Sequence, residues 1–494
     1  MTQHPRLTFR GGWLMAFVPI AVFLSLCVLF FVVFKAFDMT ALAMSGIVAL
    51  LIGALFARNY AGFWEAVMRG IGSPTSVSIV VILLVIGMFS SLVKATNVSG
   101  GFVWVGTSIG IGGAGFTLFA FVTVCVVAMA TGSSIGTMFT AFPIFYPAGV
   151  LLGADPALLA GAIVSGAIFG DNMAPISDTT IISSSTQRFR RKAGVADISG
   201  VVSSRARYAL LAAGISAVIF VIFGGGGQVQ AGASAILDAS SNPIALVMLI
   251  PITIMLIVAF LTRDIFKAVT VGLVLGTITG LLAGLIVPSD VLGVTDGAPT
   301  GFLVGGVASM LGTVALVISV FGIMGVLTAA GVLDRVVDAL VRGKLARTPR
   351  GAEAAIAIGS SVTTLLFGGV NSASMMTFGP VADEIGSRMN LHPYRRSNIM
   401  DCFAMGVACV VPFLSAFLFI AALLTSGYDG VPALSTAQIV TGTLYPLVLT
   451  VVMIVAIITG WGRRFEGPDG AVSRTRDLSL PATESEPLLA EATR

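Results

Sequence analysis

The chain has 494 residues, of which 56% are hydrophobic and 10% charged, with a net charge of +4. Its mean hydropathy is +1.01, and apolar runs of about 20 residues, enough to cross a bilayer, recur throughout. The basic residues fall in short loops between those runs, which excludes nucleic acid as the implied partner and places the chain in a membrane. The two histidines (His4 and His392) leave no room for a histidine-based metal site. Cys27, Cys125, Cys402 and Cys409 lie in apolar segments without C-x-x-C spacing and read as small packing residues.

Taken in chain order, residues 1–12 form a cytoplasmic N-terminus and 13–34 a first membrane anchor. That run is long for a signal peptide's apolar region and lacks a clear cleavage site. Further spans are expected near 41–57 and 76–96, with Lys94 snorkelling at an outer end and Glu65 and Arg69 on a short cytoplasmic surface stretch. Segment 116–142 is long enough for two short half-helices and, by its flanking charges, begins and ends on one side. It is expected to be a re-entrant hairpin whose tip carries Thr131, Ser133 and Ser134 as oxygen ligands, with Gly132 and Gly136 freeing the backbone to turn. Simple small-residue packing is the alternative for such a tip.

Residues 157–187 would be an ordinary span but for Gly170-Asp171-Asn172-Met173-Ala174-Pro175-Ile176-Ser177-Asp178-Thr179-Thr180 in its middle. A carboxylate at bilayer depth costs about 2.5–3.5 kcal/mol on insertion scales and is normally there for ions, protons or substrate. Pro175 breaks the helix, and irregular backbone at that depth survives only where protein or a water-filled cavity satisfies it. Asp171 and Asp178 are the candidate Na+ and proton site, with Asn172, Ser177, Thr179 and Thr180 completing an oxygen cage. Ser177 and Asp178 also suit the N-cap of a second half-helix. One carboxylate can hold a proton or a cation, and that competition is what exchange of the two requires.

A span near 208–224 closes the first half, 13–224, and 225–242 is an outer linker. The second half, 243–460, offers spans near 243–261, 268–287 and 304–330, a hairpin at 352–380, a broken helix at 397–425 and a last span at 438–460. The second hairpin's tip supplies Asn371, Ser372 and Ser374, and Pro412 breaks the second broken helix. Asp401 is placed near the cytoplasmic interface, where an exposed or salt-bridged carboxylate, with Arg395 or Arg396, is as good a reading as a pathway role. Residues 461–494 turn polar and are expected to be a disordered cytoplasmic tail.

The two halves repeat at an offset of 237 residues: Pro143, Pro156 and Pro175 fall on Pro380, Pro393 and Pro412, and Gly132 on Gly369. Loop charges orient the copies. Arg188–Arg207 is strongly basic where its counterpart, 426–436, is not, while Arg335–Arg350 is basic against an uncharged 99–115. By the positive-inside rule the copies cross in opposite senses, with both termini cytoplasmic and a single exception at Lys35. The acids belong to the first copy alone, since Asp171 and Asp178 align with Ala408 and Ser415.

The expected fold is therefore an all-α polytopic membrane protein with an inverted-topology repeat. It has about ten transmembrane helices, two re-entrant hairpins and discontinuous helices at the midplane. The G-x-G-x-x-G match at Gly110–Gly115 follows no soluble strand, and Ser91-Leu92-Val93-Lys94 lacks companion motifs, so no catalytic constellation survives and the chain is not read as an enzyme.

Residues Gly170–Thr180 resemble the G-D-[KN]-x-[SA]-P-x-S-D-T-T signature of NhaC-type sodium/proton antiporters, inverted-repeat carriers of the ion-transporter superfamily. Gly368–Pro380 and His392-Pro393-Tyr394-Arg395-Arg396 resemble the family more weakly, and the similarity covers roughly 40–460. It implies Na+ (or Li+)/H+ exchange in a bacterial cytoplasmic membrane, with Asp171 and Asp178 as the ion-handling acids and no cofactor. Asn172 stands where many members have Lys, and Ala174 where many have Ser. The run Ile181–Gln187 is closer to members assigned organic substrates, so a Na+-coupled carrier or exchanger of malate, lactate or an amino acid is the alternative. The partners implied are the bilayer, a small cation and the proton; a homodimer is left open.

Overall fold

The computed structural model describes residues 6–34, 39–175, 177–226, 242–262, 265–332, 335, 344–367, 369, 371–412, 414–428 and 430–476. Lys35, Ile176, Arg342, most of the expected outer linker, Gly368 and Val370 of the second tip, and the tail beyond 476 lie outside them.

Helices in the first half are α1 (Val18–Val28), α2 (Met39–Phe56), α3 (Tyr60–Ile71), α4 (Pro74–Ala95), α5 (Val98–Ile109), α6 (Gly113–Thr131), α7 (Ser134–Leu151), α8 (Pro156–Met173), α9 (Asp178–Ser185) and α10 (Ile198–Phe223). The second half has α11 (Leu249–Thr262), α12 (Ile265–Leu282), α13 (Phe302–Ala329), α14 (Pro349–Leu366), α15 (Asn371–Arg388), α16 (Pro393–Ala404), α17 (Ala416–Leu424), α18 (Thr436–Gly442) and α19 (Leu444–Thr459). Strands are confined to two small antiparallel hairpins, Gly293–Thr295 with Ala298–Thr300 and Phe465–Glu466 with Val472–Ser473.

The repeat is visible element by element. α15 starts and ends 237 residues after α7. Gly132 and Gly369 both turn with positive φ, 66° and 82°, a conformation glycine adopts at no steric cost. Pro156 and Pro393 each open a helix whose N-cap side chain, Asp155 or His392, accepts a hydrogen bond from the first turn. Both middle spans break as expected: α8 gives way to α9 around Pro175, and α16 to α17 around Pro412.

Span lengths depart from expectation. Among the described residues, only Ser134–Leu151, Pro156–Met173, Ile198–Phe223 and Phe302–Ala329 are individually long and apolar enough to cross a membrane. Counting the bent pairs α4–α5 and α18–α19 as single spans gives up to six by length and composition, beside five shorter apolar helices: Trp13–Cys27, Thr40–Phe56, Gly113–Met129, Pro243–Met255 and Phe266–Leu282. The shortfall has a local cause: the first apolar run divides into a 3-10 turn (Trp13–Phe17), α1 and a π turn (Leu29–Val33), and the run from 243 opens with a 3-10 turn (Pro243–Met248). Conversely, the arms of the two expected re-entrant hairpins are not short. α6 has 19 residues and α7, α14 and α15 have 18 each, about 27 Å or more of helix.

The helices sort into two bundles. α13 packs on α2, α3 and α4, with α12 beside α4, while α8 packs on α6, α7, α10, α18 and α19. α9 lies against α15 and α16, so the first break is enclosed by second-half elements. Glycine sets the closest crossings: a Cβ at Gly161 on α8 would fall on the Gly442 backbone of α18, and one at Gly442 on the Ala157 carbonyl and Leu158 Cα.

Residues 462–476, the described part of the expected tail, are tied to the protein. Phe465 bridges Leu391, and the buried Glu466 accepts from the backbone N–H of Arg190 (2.8 Å) and Arg191 (2.7 Å). The basic loop after α9 needs acceptors for those N–H groups, and this segment supplies them. Lys94 is likewise tied to protein, donating to the Ser426 carbonyl at 2.9 Å and lying 4.4 Å over the Tyr428 ring. The four cysteines are buried and free.

Candidate ion-binding site

The site begins with Pro175, which has no N–H to give the turn before it. α8 therefore ends at Met173, its last bond running from Ala174 N–H to the Gly170 carbonyl (2.8 Å). The chain passes through Ser177 in extended conformation and starts α9 at Asp178. Asp171, 4% exposed, is left one turn before the gap, facing the first hairpin. Its Oδ2 accepts from Ser134 Oγ of the hairpin tip at 2.7 Å, and its Oδ1 accepts from Ser177 Oγ across the break. Thr179 Oγ1 lies 2.8 Å from Ser177 Oγ. With the Ser177 proton committed to the carboxylate, Thr179 is the donor of that pair. Around Asp171 the structure gathers Ser134 and Ser177, with Thr179 behind Ser177, and not the full set of Asn172, Ser177, Thr179 and Thr180 expected there.

Asp178 is placed differently. Its side chain is exposed, accepting from the Thr179 N–H at 2.8 Å and from Ser372 Oγ of the second hairpin tip. Ser177 occupies the N-cap position without a side-chain capping bond, because its hydroxyl is spent on Asp171. Asp178 and Asp401 are both within electrostatic reach of Asp171.

Asn172 and Thr180 leave the cage for a second cluster that the sequence did not disclose. At its centre is an ion pair: Arg205 Nη2 lies 2.6 Å from Asp401 Oδ2, with both side chains fully buried. Arg205 Nη1 donates to the Asn172 carbonyl (2.5 Å) and to Thr180 Oγ1 (3.1 Å), and Nε donates to Asn398 Oδ1 (3.1 Å). Asp401 also accepts from Asn172 Nδ2 (3.0 Å) and Ser183 Oγ (2.9 Å), and Tyr445 donates its hydroxyl to Asn172 Oδ1 (3.1 Å). Asp401 is thus buried and salt-bridged, with Arg205 rather than Arg395 or Arg396 as its partner. Arg395 pairs instead with Glu353 (2.8 Å) and Arg396 with Asp383 (2.6 Å). Arg205 had been assigned to the basic loop, but α10 starts at Ile198 and carries it two turns into the protein. A signal existed in the sequence: Asp197 followed by Gly200 is an N-cap pattern that starts the helix early.

The remaining tip residues serve the hairpins themselves. Thr131 Oγ1 lies 3.0 Å from Thr137 Oγ1, Ser133 caps α7 by accepting from the Gly136 N–H (3.2 Å), and Ser374 Oγ lies 2.8 Å from Thr364 Oγ1. Asn371 faces the second break, its side-chain amide 3.1 Å from the Ala404 carbonyl and 3.3 Å from that of Gly369, two acceptors that assign its nitrogen to that side. Beyond Pro412, Ser415 donates to the Cys409 carbonyl at 2.7 Å and caps α17.

Among the described residues, no group of three or more His, Cys, Asp or Glu side chains could hold a metal ion. The Asp171 cluster has one carboxylate and several hydroxyls, the donor set of a hard, weakly held cation and unlike a resident transition metal.

A helical membrane protein with paired broken helices and a buried carboxylate beside one of the breaks has the anatomy of a secondary transporter. The chain belongs to the Na+/H+ antiporter family, whose model matches residues 6–225 and 229–461. It is 27% identical over 341 residues to a malate-2H(+)/Na(+)-lactate antiporter of Bacillus subtilis, covering 65% of this chain and 70% of that protein. It is also 27% identical over 405 residues to the Na(+)/H(+) antiporter NhaC of Alkalihalophilus pseudofirmus, covering 76% of this chain and 83% of that one. The crystal structure of the Alcanivorax borkumensis YdaH transporter aligns over 79% of this chain and 91% of its own, at 13% identity and a TM-score of 0.33. That likeness is too slight to carry anything further.

Proposed function

We propose that this member of the Na+/H+ antiporter family exchanges Na+ or Li+ for protons at Asp171, across a bacterial cytoplasmic membrane with both termini inside. The observation that carries the reading is the position of that carboxylate. It is buried in the last turn of α8 beside the break, hydrogen-bonded to hydroxyls from a hairpin tip on one side and from across the break on the other. Ser134 and Ser177 donate to the ionised acid and can turn their lone pairs to a cation that replaces those contacts. A proton on Asp171 and a cation beside it exclude one another, so each passage of the site across the membrane carries one or the other.

Asp178 and Ser372 form the second contact of the cycle, joining the first break to the opposite hairpin at an exposed carboxylate through which ions reach or leave Asp171. The two copies run in opposite senses.

The competing reading is a carrier of small organic acids, as the name of the B. subtilis relative describes for that protein. A substrate carboxylate calls for an available cation. Arg205, the buried guanidinium nearest the break, has every nitrogen engaged by Asn172, Thr180, Asp401, Ser183 or Asn398. Cation exchange is favoured on that ground.

The deciding experiment is dequenching of a pH dye in proteoliposomes on addition of Na+, Li+ or K+, for the wild type and Asp171→Asn. Proton flux driven by Na+ or Li+ and lost in the variant supports the reading. Flux only on addition of malate or lactate overturns it.

A further inference from the structure

At the end of α19, beside the start of α16, the protein forms an open cavity of about 640 Å³ whose lining includes Arg350, Arg463, Arg464 and Arg474 and, among the described residues, no carboxylate. Thr348 and Pro349, at the N-terminus of the 18-residue helix α14, complete one wall, so the partial positive charge of that helix end adds to the guanidinium groups. One acid lies behind the wall. Glu353 takes Arg463 Nη2 at 2.6 Å, but it also pairs with Arg395 at 2.8 Å, so its single charge is shared between two cations. Arg463 Nε is buried without a partner. Arg464 spends one nitrogen on the Arg463 carbonyl (3.0 Å), and neither Arg350 nor Arg474 makes an ion pair among the described residues.

Four like charges gathered around one cavity repel one another, an arrangement that a bound anion converts into an attractive one. Guanidinium groups and a helix N-terminus together suit a phosphate, through paired N–H donors and oriented backbone N–H groups. The location narrows the source. The cavity is lined by Thr459 and Gly460, where the last apolar helix ends, and Trp461, 40% exposed, marks the same level as an interfacial aromatic. Basic pockets at that depth take the head groups of acidic lipids.

We infer that this cavity is a binding site for a phosphate group, presented by the head group of an acidic phospholipid or by a soluble phosphate compound. The bound phosphate ties the start of α14, the first arm of the second hairpin, to the end of α19. Its occupancy therefore stabilises the fold at a distance from Asp171.

The test uses the full chain, delipidated in neutral detergent, with melting followed as phosphatidylglycerol, cardiolipin, phosphatidylcholine, inorganic phosphate or pyrophosphate is added. Wild type is compared with Arg350→Gln/Arg474→Gln, which removes two guanidinium groups that make no ion pair among the described residues and leaves Glu353 paired. Acidic lipid is expected to raise the melting temperature at lower concentration than phosphatidylcholine, with the effect weakened about tenfold or more in the variant. Stabilisation by pyrophosphate or phosphate without lipid, lost in the same variant, assigns the site to a soluble phosphate. Equal shifts in wild type and variant, or no shift with any probe, overturn the proposal. Because the variant relieves repulsion, it melts no lower than wild type when ligand-free. Arg474→Lys, which keeps the charge, retains most of the response.

Discussion

Arg205 Nη2 and Asp401 Oδ2 meet at 2.6 Å in the interior, one from the first half of the chain and one from the second, each fully buried. Of their partners, Asn172, Thr180 and Ser183 belong to the first broken span and Asn398 to the second. Removing one member leaves an uncompensated buried charge, which costs about 3–5 kcal/mol, whereas replacing both with apolar groups of similar volume is often close to neutral. Arg205→Met alone and Asp401→Leu alone are therefore expected to lower the melting temperature sharply, and the double variant to recover most of the loss. Additive losses in the double variant would refute the assignment of the pair as one unit.

Asp171→Asn keeps the shape of the site and removes its charge, so Na+-driven proton flux is expected to fall to the level of empty liposomes while the fold is retained. Ser134→Ala and Ser177→Ala each delete one hydroxyl donor to a charged group. A hydrogen bond of that kind is worth about 1.5–3 kcal/mol, so the Na+ concentration for half-maximal flux should rise about tenfold or more. A rise confined to maximal rate would place these serines outside cation binding.

Asp178 and Ser372 are joined across the two halves. If the second hairpin tip closes on the first break during the cycle, Asp178→Asn and Ser372→Ala are coupled. The double variant should then depart from additivity by about 1 kcal/mol in the free energy derived from flux at low Na+. Strict additivity would separate the tip from the cycle.

His392 caps α16 through a bond from the Tyr394 N–H to its Nδ1 (3.2 Å), and burial pushes its pKa down from 6.5 to about 4. Above pH 6.5 the ring is neutral both folded and unfolded and makes stability no more pH-dependent. Between pH 6.5 and 4 the unfolded chain takes up a proton that the folded protein refuses, so stability falls across that window by up to about 3 kcal/mol. His392→Asn keeps a capping side chain without that titration. Its melting temperature in detergent should vary less between pH 6.5 and 4.5 than that of wild type; identical profiles would assign the acid sensitivity elsewhere.

The repeat, the two breaks and the turns between hairpin arms were legible because they rest on residues whose backbone effect is local. Proline withholds a donor wherever it stands, glycine alone turns freely through positive φ, and Asp155 caps α8 from the residue before Pro156. Asp171 was legible for a similar reason, since an acid within an apolar run demands a partner. The partnership of Arg205 was not. Loop charge places a guanidinium at one end of a span, but which way the side chain points depends on where α10 begins and what packs against it. The same limit hid Glu466, whose role is to accept N–H groups from a loop some 275 residues earlier.

The contact between Gly161 of α8 and Gly442 of α18 bears on how such a molecule could move. Two backbones touching there leave no side chains to slide past one another, and a substituent on either would wedge them apart. The helix that holds Asp171 is thereby pinned to the short helix leading into α19, at the 58° bend between α18 and α19. Any displacement of α8 relative to the rest of the protein must pivot about this point or take α18 and α19 along with it.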